Sequence, residues 1–452
     1  MNAVIIFCLL SVLLVLGKLL RVALPILQRL YLPSSVVGGL VGLVLISVFR
    51  EYIPNDWIVG MKQLPGFLIN VVFASLFLGK VVPSFKKVWN LALPQLCMGQ
   101  LLAWGQYVLG LGLCGFLLMP YFGVPAAFGN LLEIGFQGGH GTVGGLASTF
   151  EAFKWSDGIA LGYTMATAGM VLGIVVGMVL VNWAHRKGVV NNVRTFEDRN
   201  KLEQRGIYHP KERPNAGKQT VFCDSIDSLA WHIALIGLAI LIGYGMLRGF
   251  QYLEIRLFPG STGKRIFSGF PLFPLCMIGG LILQKVMEEV KAHVLIDHGQ
   301  MQRLAGGALD FLVVSAVATI QISVVAANWK PLLVLVIAGT LWSVILVGYL
   351  APRLFREAWF ERAIAEFGQS LGVTATGLLL LRTVDPENKT VAAESFGYKQ
   401  LLHEPFMGGG LWTALALTLV FNIGWFNLFL ISCGALVFWF IPSLVFVLKN
   451  RK

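Results

Sequence analysis

Residues 159–184 and 332–352 contain no charged side chain, and runs of similar length and apolarity recur along most of the 452-residue chain. Coiled as a helix, about 20 such residues cross the hydrocarbon of a bilayer, where each backbone polar group must find its partner within the helix. An all-α polytopic membrane protein is therefore expected. Composition agrees, with 56% hydrophobic residues, 13% charged residues and a mean hydropathy of +0.74, values outside the ordinary soluble range. Candidate spans fall near 3–26, 33–49, 65–82, 91–118, 158–184, 228–249, 270–288, 305–327, 331–352, 405–425 and 427–448. Between them, residues 185–224 carry nine Lys/Arg, two prolines and no apolar run. That segment reads as a solvated cytoplasmic linker between an N-terminal repeat, 1–184, and a C-terminal one, 225–425. Residues 426–452 would add one more spanning helix and a basic tail.

The cysteines at 8, 97, 114, 223, 276 and 433 form no CxxC pair, so neither a disulfide framework nor a zinc site is indicated. The first apolar run lacks a preceding basic region and a small-residue cleavage site, so it reads as a retained span. Basic residues mark the cytoplasmic side of short loops. With the N-terminus outside, 27 of the 35 Lys/Arg fall inside, among them Lys18, Arg21, Lys86, Lys87, the nine of the linker, six between Arg353 and Lys399, and the Lys449–Lys452 tail. The net charge of +12 then reflects topology and affinity for anionic lipid, not nucleic acid.

An odd number of spans before the linker would insert a second copy of the same unit upside down, so the halves invite comparison. Pro33-Ser-Ser-Val-Val-Gly38-Gly39-Leu40 is matched 241 residues later by Pro274-Leu-Cys-Met-Ile-Gly279-Gly280-Leu281. NVVFAS, ending at Ser75, is matched by DFLVVS, ending at Ser315, and Glu133-Ile-Gly135 by Glu366-Phe-Gly368. Glu133 opens GFQGGHGTVGG, and Glu366 opens GQSLGVTATG. Glycine-interrupted backbone at membrane depth is tolerated only where protein or a watery cavity covers it, and paired interruptions in inverted halves point to a transporter's midplane site. Re-entrant hairpins are therefore expected at about 119–157 and 353–404. Their freed amides, helix dipoles and the hydroxyls of Thr142, Thr374 and Thr376 would suit an anion. Each Glu would cap amides freed at its own hairpin, with sodium binding as the competing reading.

At these residues the chain resembles the glutamate:sodium symporter family: GGHGT followed by a helix, then G-x-T-x-T in the second half, around a central basic linker. The resemblance implies two inverted five-helix repeats with re-entrant hairpins, an anionic amino acid as substrate, sodium as coupling ion, a homodimer in the inner membrane, and elevator-like motion. It places substrate contacts at Gly138, Gly139, His140, Gly141, Thr142, Gly372, Thr374 and Thr376. The resemblance implies L-glutamate as substrate, but Gln137 stands where serine is expected and Ala375 where proline is expected, so a related small anion is expected as the alternative.

Asp310 is the only carboxylate in its span, and a sodium-ligand role is assigned to it with Ser315, Asn70 and Ser75 as further oxygen donors; pairing at the inner end is the competing reading. His140 is read either as a donor to substrate or as a brace for its loop. Arg382 would present a planar fork to a side-chain carboxylate or, alternatively, anchor at the interface. PGSTGKR at 259–265 lacks the phosphate-loop spacing. No organic cofactor, nucleotide site or catalytic motif is indicated, so an enzyme is not expected. The same fold carrying another organic anion, coupling to protons, and a channel are the remaining alternatives.

Overall fold

The computed structural model describes residues 2–80, 85–190, 193, 198, 200–257, 267, 270–386 and 389–450, the side chains of 85–91 excepted. Expectations resting on Lys86, Lys87, Arg194, Arg199, PGSTGKR and the last two residues lie outside that set. The described residues form helices and no strand. In chain order they are α1 (Asn2–Ala23), α2 (Ser34–Val48), α3 (Asn55–Ser75), α4 (Phe85–Leu113), α5 (Leu131–Phe136), α6 (Gly139–Gly145) and α7 (Asp157–Arg186). Beyond the linker follow α8 (Ser228–Leu257), α9 (Phe273–Glu289), α10 (His298–Ala318), α11 (Trp329–Ile345), α12 (Trp359–Val384), α13 (Ala392–His403), α14 (Leu411–Ile423) and α15 (Trp425–Asn450). Among the described residues, nine helices are long and apolar enough to cross a membrane.

The glycine pairs let helices approach backbone to backbone. Gly38 of α2 lies against the Leu13 carbonyl of α1, and Gly279 of α9 lies against the Ala239 carbonyl of α8. Any side chain at either position would occupy the space of that carbonyl. The second glycine of each pair faces elsewhere, Gly39 toward Val317 of α10 and Gly280 toward the Ala74 carbonyl of α3. Helices α4 and α11 also end alike. Each passes into a π-helical turn, Cys114–Leu118 or Leu346–Leu350, and then into a short helix whose second residue is Pro120 or Pro352. A missing amide and a widened turn both loosen the ladder there.

Packing sorts the helices into two bundles. In one, α10 packs on both α3 and α2, α1 packs on α2, and α9 packs on α3 and α8. In the other, α7 packs on α12 and α5, while α4 packs on α15, α13 and α11. The bundles meet where α6 crosses α3 and α10.

Several windows misjudged the helices. The span expected at 65–82 begins at Asn55, because the helix carries Asp56, Lys62 and Gln63 along with Pro65. Residues 305–327 divide at Ala318. The span expected at 405–425 shrinks to Leu411–Ile423, because Gly408 and Gly409 take φ of 65° and 106°. Gly424, with φ of 83°, separates it from α15. Finally, α12 is continuous only in outline. Gly372 and Val373 leave helical geometry, and Gly368 backs onto the Gly377 backbone, so residues 374–384 return along residues 359–371.

Candidate functional site

Helix α7 is the rail on which the interrupted segments meet. Its glycines present a face without side chains. Gly162 receives Val143, Gly169 receives both the Phe136 ring and the Leu371 carbonyl, and Gly173 and Gly177 receive Thr376 and Leu380. The segment ending at Phe136 thus meets the turn at Leu371 near the middle of α7.

Three chain breaks converge at that level. The first, Gln137–Gly139, separates α5 from α6, and Gly139 takes φ of 69°. The second, Gly372–Val373, divides α12, with Val373 at φ 61°. The third, Gly408–Gly410, precedes α14. A Cβ placed on Gly139 would sit 2.5 Å from Val373 Cγ1, Gly408 lies beside the Gln137 carbonyl, and Gly409 lies against Thr142 Oγ1. Thr142 and Thr376 do the same work in their segments, donating back to the carbonyls of Gly138 (2.8 Å) and Gly372 (2.5 Å).

Around the breaks runs a buried polar network. Glu133, fully buried, accepts from Tyr107 Oη (2.7 Å), from the Gly408 amide (2.9 Å) and from Thr413 Oγ1 (3.0 Å). It therefore caps an amide of the third break, not of its own segment. Glu366 caps no amide: its two oxygens accept from Lys399 Nζ (2.9 Å) and Gln95 Nε2 (2.9 Å). Thr374 donates to Glu404 (2.7 Å) and accepts from Gln400 Nε2 (2.5 Å). His403 stands between the side-chain Oε1 of Gln137 at Nε2 (3.1 Å) and the side-chain Nε2 of Gln100 at Nδ1 (3.2 Å). One acceptor and one donor neighbour assign it the neutral Nε2–H tautomer. His140 Nε2 meets Thr167 Oγ1 at 2.9 Å, and that hydroxyl gives its proton to the Tyr163 carbonyl. His140 is then the donor, and the bond ties its segment to α7.

A cavity of about 510 Å³ lies at the C-terminal end of α6, lined also by α3 and the start of α7, with Lys62, Gln63, Asn70, Ser148, Glu151 and Tyr163 on its wall. The Tyr163 hydroxyl is buried and has no partner among the described residues. That volume suits a small organic ligand.

Of the residues singled out from sequence, Gln137, Gly138, Gly139, His140, Gly141, Thr142, Gly372, Thr374 and Thr376 gather at or beside the breaks. Arg382 does not. It is exposed, and it stands roughly 12 Å of helical rise beyond Thr374. Arg382→Ala is accordingly expected to leave substrate affinity within about twofold, as for a surface change of under ~0.5 kcal/mol, measured by substrate titration of uptake.

The four oxygen donors grouped for sodium also fail to share one site. Ser315 Oγ donates to the Met61 carbonyl, whereas Ser75 donates to Val72 (2.9 Å) near the other end of α3. Met61 and Ser75 are roughly 20 Å of helix apart. Asn70, with its amide on the Gly66 carbonyl (2.8 Å), lies between them and opens onto the cavity. Asp310 is exposed, with the Ser35 side chain within bonding reach.

Sequence reading passed over the whole third break, together with Lys399, Gln400, His403 and Glu404. EPFMGGG carried the signal, but its glycines were averaged into the apolar window that began at 405.

A family profile described as sodium/glutamate symporter matches residues 1–384. The chain belongs to the sodium/glutamate symporter family. No curated protein matches its sequence. The match to this symporter family covers the first two breaks; the third break and the Lys399–Glu404 cluster lie beyond it.

Proposed function

We propose that the chain carries glutamate or a closely related anionic amino acid across the inner membrane, driven by sodium, by an elevator-type exchange of access. Three breaks meeting midway along α7 are the observation that carries the reading. Residues 374–384 and α14 both begin in this region, and the positive ends of their helix dipoles favour carboxylates there. Membership in the sodium/glutamate symporter family supports the ion and the substrate class.

The inverted repeats belong to the same proposal. Supporting them are the matched glycine approaches at Gly38 and Gly279, the matched π-turn and proline endings of α4 and α11, and Thr142 and Thr376 closing equivalent breaks. The first and second breaks would be tips of re-entrant hairpins that enter from opposite faces. With the N-terminus outside, the cavity beside Tyr163 opens outward and admits the substrate.

Elevator movement needs a smooth seam between the bundles, and glycines supply it. A Cβ on Gly144 would sit 2.6 Å from Pro65 Cβ, and one on Gly141 would sit 2.6 Å from Ile69 Cδ1. Gly144→Val, whose side chain would also enter the cavity wall, is expected to slow uptake more than it weakens glutamate binding by purified protein. Wedging the seam costs about 1–3 kcal/mol and slows uptake roughly ten- to hundred-fold. Loss of binding together with transport would move Gly144 from the seam to the site.

The overall test is uptake of labelled L-glutamate by proteoliposomes under an inward sodium gradient, compared with an equal potassium gradient. Accumulation with sodium alone is expected. If more than one sodium accompanies each monoanion, each net charge gains about 2.3 kcal/mol per 100 mV, so an interior-negative potential should raise the rate. Uptake with neither ion, from folded protein, would overturn glutamate as substrate, and a response to a proton gradient alone would overturn sodium as driver.

A further inference from the structure

Lys399 is one of the largest wholly buried side chains in the protein, and its surroundings are those of a bound cation. Its ammonium donates to Glu366 Oε2 at 2.9 Å, Gln369 Oε1 at 2.6 Å and Gln400 Oε1 at 3.0 Å, so all three N–H groups are used. The far side of the head rests over the Phe396 ring, 5.6 Å from its centroid. Space for the stem comes from α4, where a Cβ on Gly99 would sit 2.7 Å from Nζ. One carboxylate and two side-chain amide oxygens converging on a point, beside a broken helix, make an all-oxygen donor set of the kind hard cations take. Lys399 fills it from within the chain.

We propose that the Lys399 ammonium is a tethered cation standing in for a sodium ion at this place. It holds the oxygen cluster closed to the ions in solution and supplies a positive charge that does not dissociate when the transporter turns over. Through Gln400 the cluster reaches Thr374 and Glu404 beside the second break. Through Glu366 it reaches Gln95 of α4, which also takes Arg362 Nε at 2.8 Å. A fixed charge here would order the second break whether or not coupling ions are bound elsewhere. A buried ion pair is not by itself evidence of a stability role, whereas a replaceable cation makes a specific prediction.

Lys399→Met leaves the Glu366 carboxylate buried without its counter-charge. Thermal unfolding of the full-length, substrate-free protein is measured for wild type, Lys399→Met and Lys399→Met/Glu366→Gln. Sodium chloride is titrated against choline chloride at constant ionic strength. The single variant should melt well below wild type in choline and regain most of that difference with sodium, while wild type and the double variant show no such additional rise. The proposal is overturned if Lys399→Met has the sodium response of wild type, if it cannot be recovered even when purified in sodium, or if the double variant shows the same rescue. The readout involves no glutamate and no flux. A chain that proved to be proton-driven would lose the sodium-symport reading, yet Lys399→Met would still acquire a sodium response.

Discussion

Gly139→Ala should abolish most uptake, and adding Val373→Gly should return part of it. Gly139 sits at φ 69°, a left-handed conformation that costs an L-residue about 1–2 kcal/mol. Its new methyl would meet Val373 Cγ1 at 2.5 Å, an overpacking cost of about 1–3 kcal/mol. Together these reach roughly 2–5 kcal/mol, which corresponds to a loss of about 30-fold or more in rate if it falls on the transport-competent arrangement. Val373 is itself a β-branched residue at φ 61° and ψ 174°, a region that glycine normally occupies. Glycine at 373 relieves that strain and removes the clashing methyl, leaving only the conformational cost at 139. Uptake by matched amounts of folded single and double variants decides the matter. An unaffected single variant would mean that the first two breaks do not need their close contact to work.

Glu133→Ala is expected to produce the largest loss of stability of any single change at the site. Tyr107 and Thr413 are fully buried, and the Gly408 amide turns to the same carboxylate. Removing the acceptor strands three donors at about 1–3 kcal/mol each, so a loss of at least about 3 kcal/mol is expected. Glu133→Gln should fall in between, because its amide retains one acceptor oxygen but the charge that strengthens each bond is gone. Denaturant or thermal unfolding in detergent would rank wild type above Gln above Ala. Equal stability of all three would show that the carboxylate is not what pins the third break to the first.

What could be read in the chain depended on what each signal samples. Uncharged runs marked helices such as α1, α7 and α11, because helix formation in hydrocarbon is decided locally, residue by residue, by the absence of water. The doubled glycines at 38–39 and 279–280 were legible for a similar reason, since only glycine permits backbone contact at such distances. GFQGGHGTVGG and GVTATG were legible as places where a helix is interrupted, although nine of the eleven residues of the first and all but Gly372 and Val373 of the second are helical. The short ends were not. Helix α3 begins earlier than its apolar run because Asp56 and Lys62 suppress a hydropathy average, although the fold places Asp56 in the first turn and Lys62 on a cavity wall.

The composition of the site lay further out of reach. Glu133 and Glu366 stood out as acids in apolar surroundings, but each looked like a cap for its own segment. Their partners, Gly408 and Lys399, are separated from them by hundreds and tens of residues respectively, and nothing in either sequence neighbourhood names the other. Arg382 was open to two readings, a carboxylate ligand or an interface anchor; its exposed place between buried Leu381 and Thr383 removes it from the breaks. The sodium set of Asn70, Ser75, Asp310 and Ser315 was built from register between the halves. Register pairs residues by their order along each helix, and because Ser315 near the end of α10 meets Met61 near the start of α3, residues paired in that way lie at opposite ends. Sequence by itself determined that this chain lives in a membrane, is helical, and interrupts its helices with glycine at two places. Tertiary structure alone decided that a third interruption joins them and that a lysine fills the oxygen cluster beside them, because burial and pairing of charge depend on contacts that the linear order does not encode.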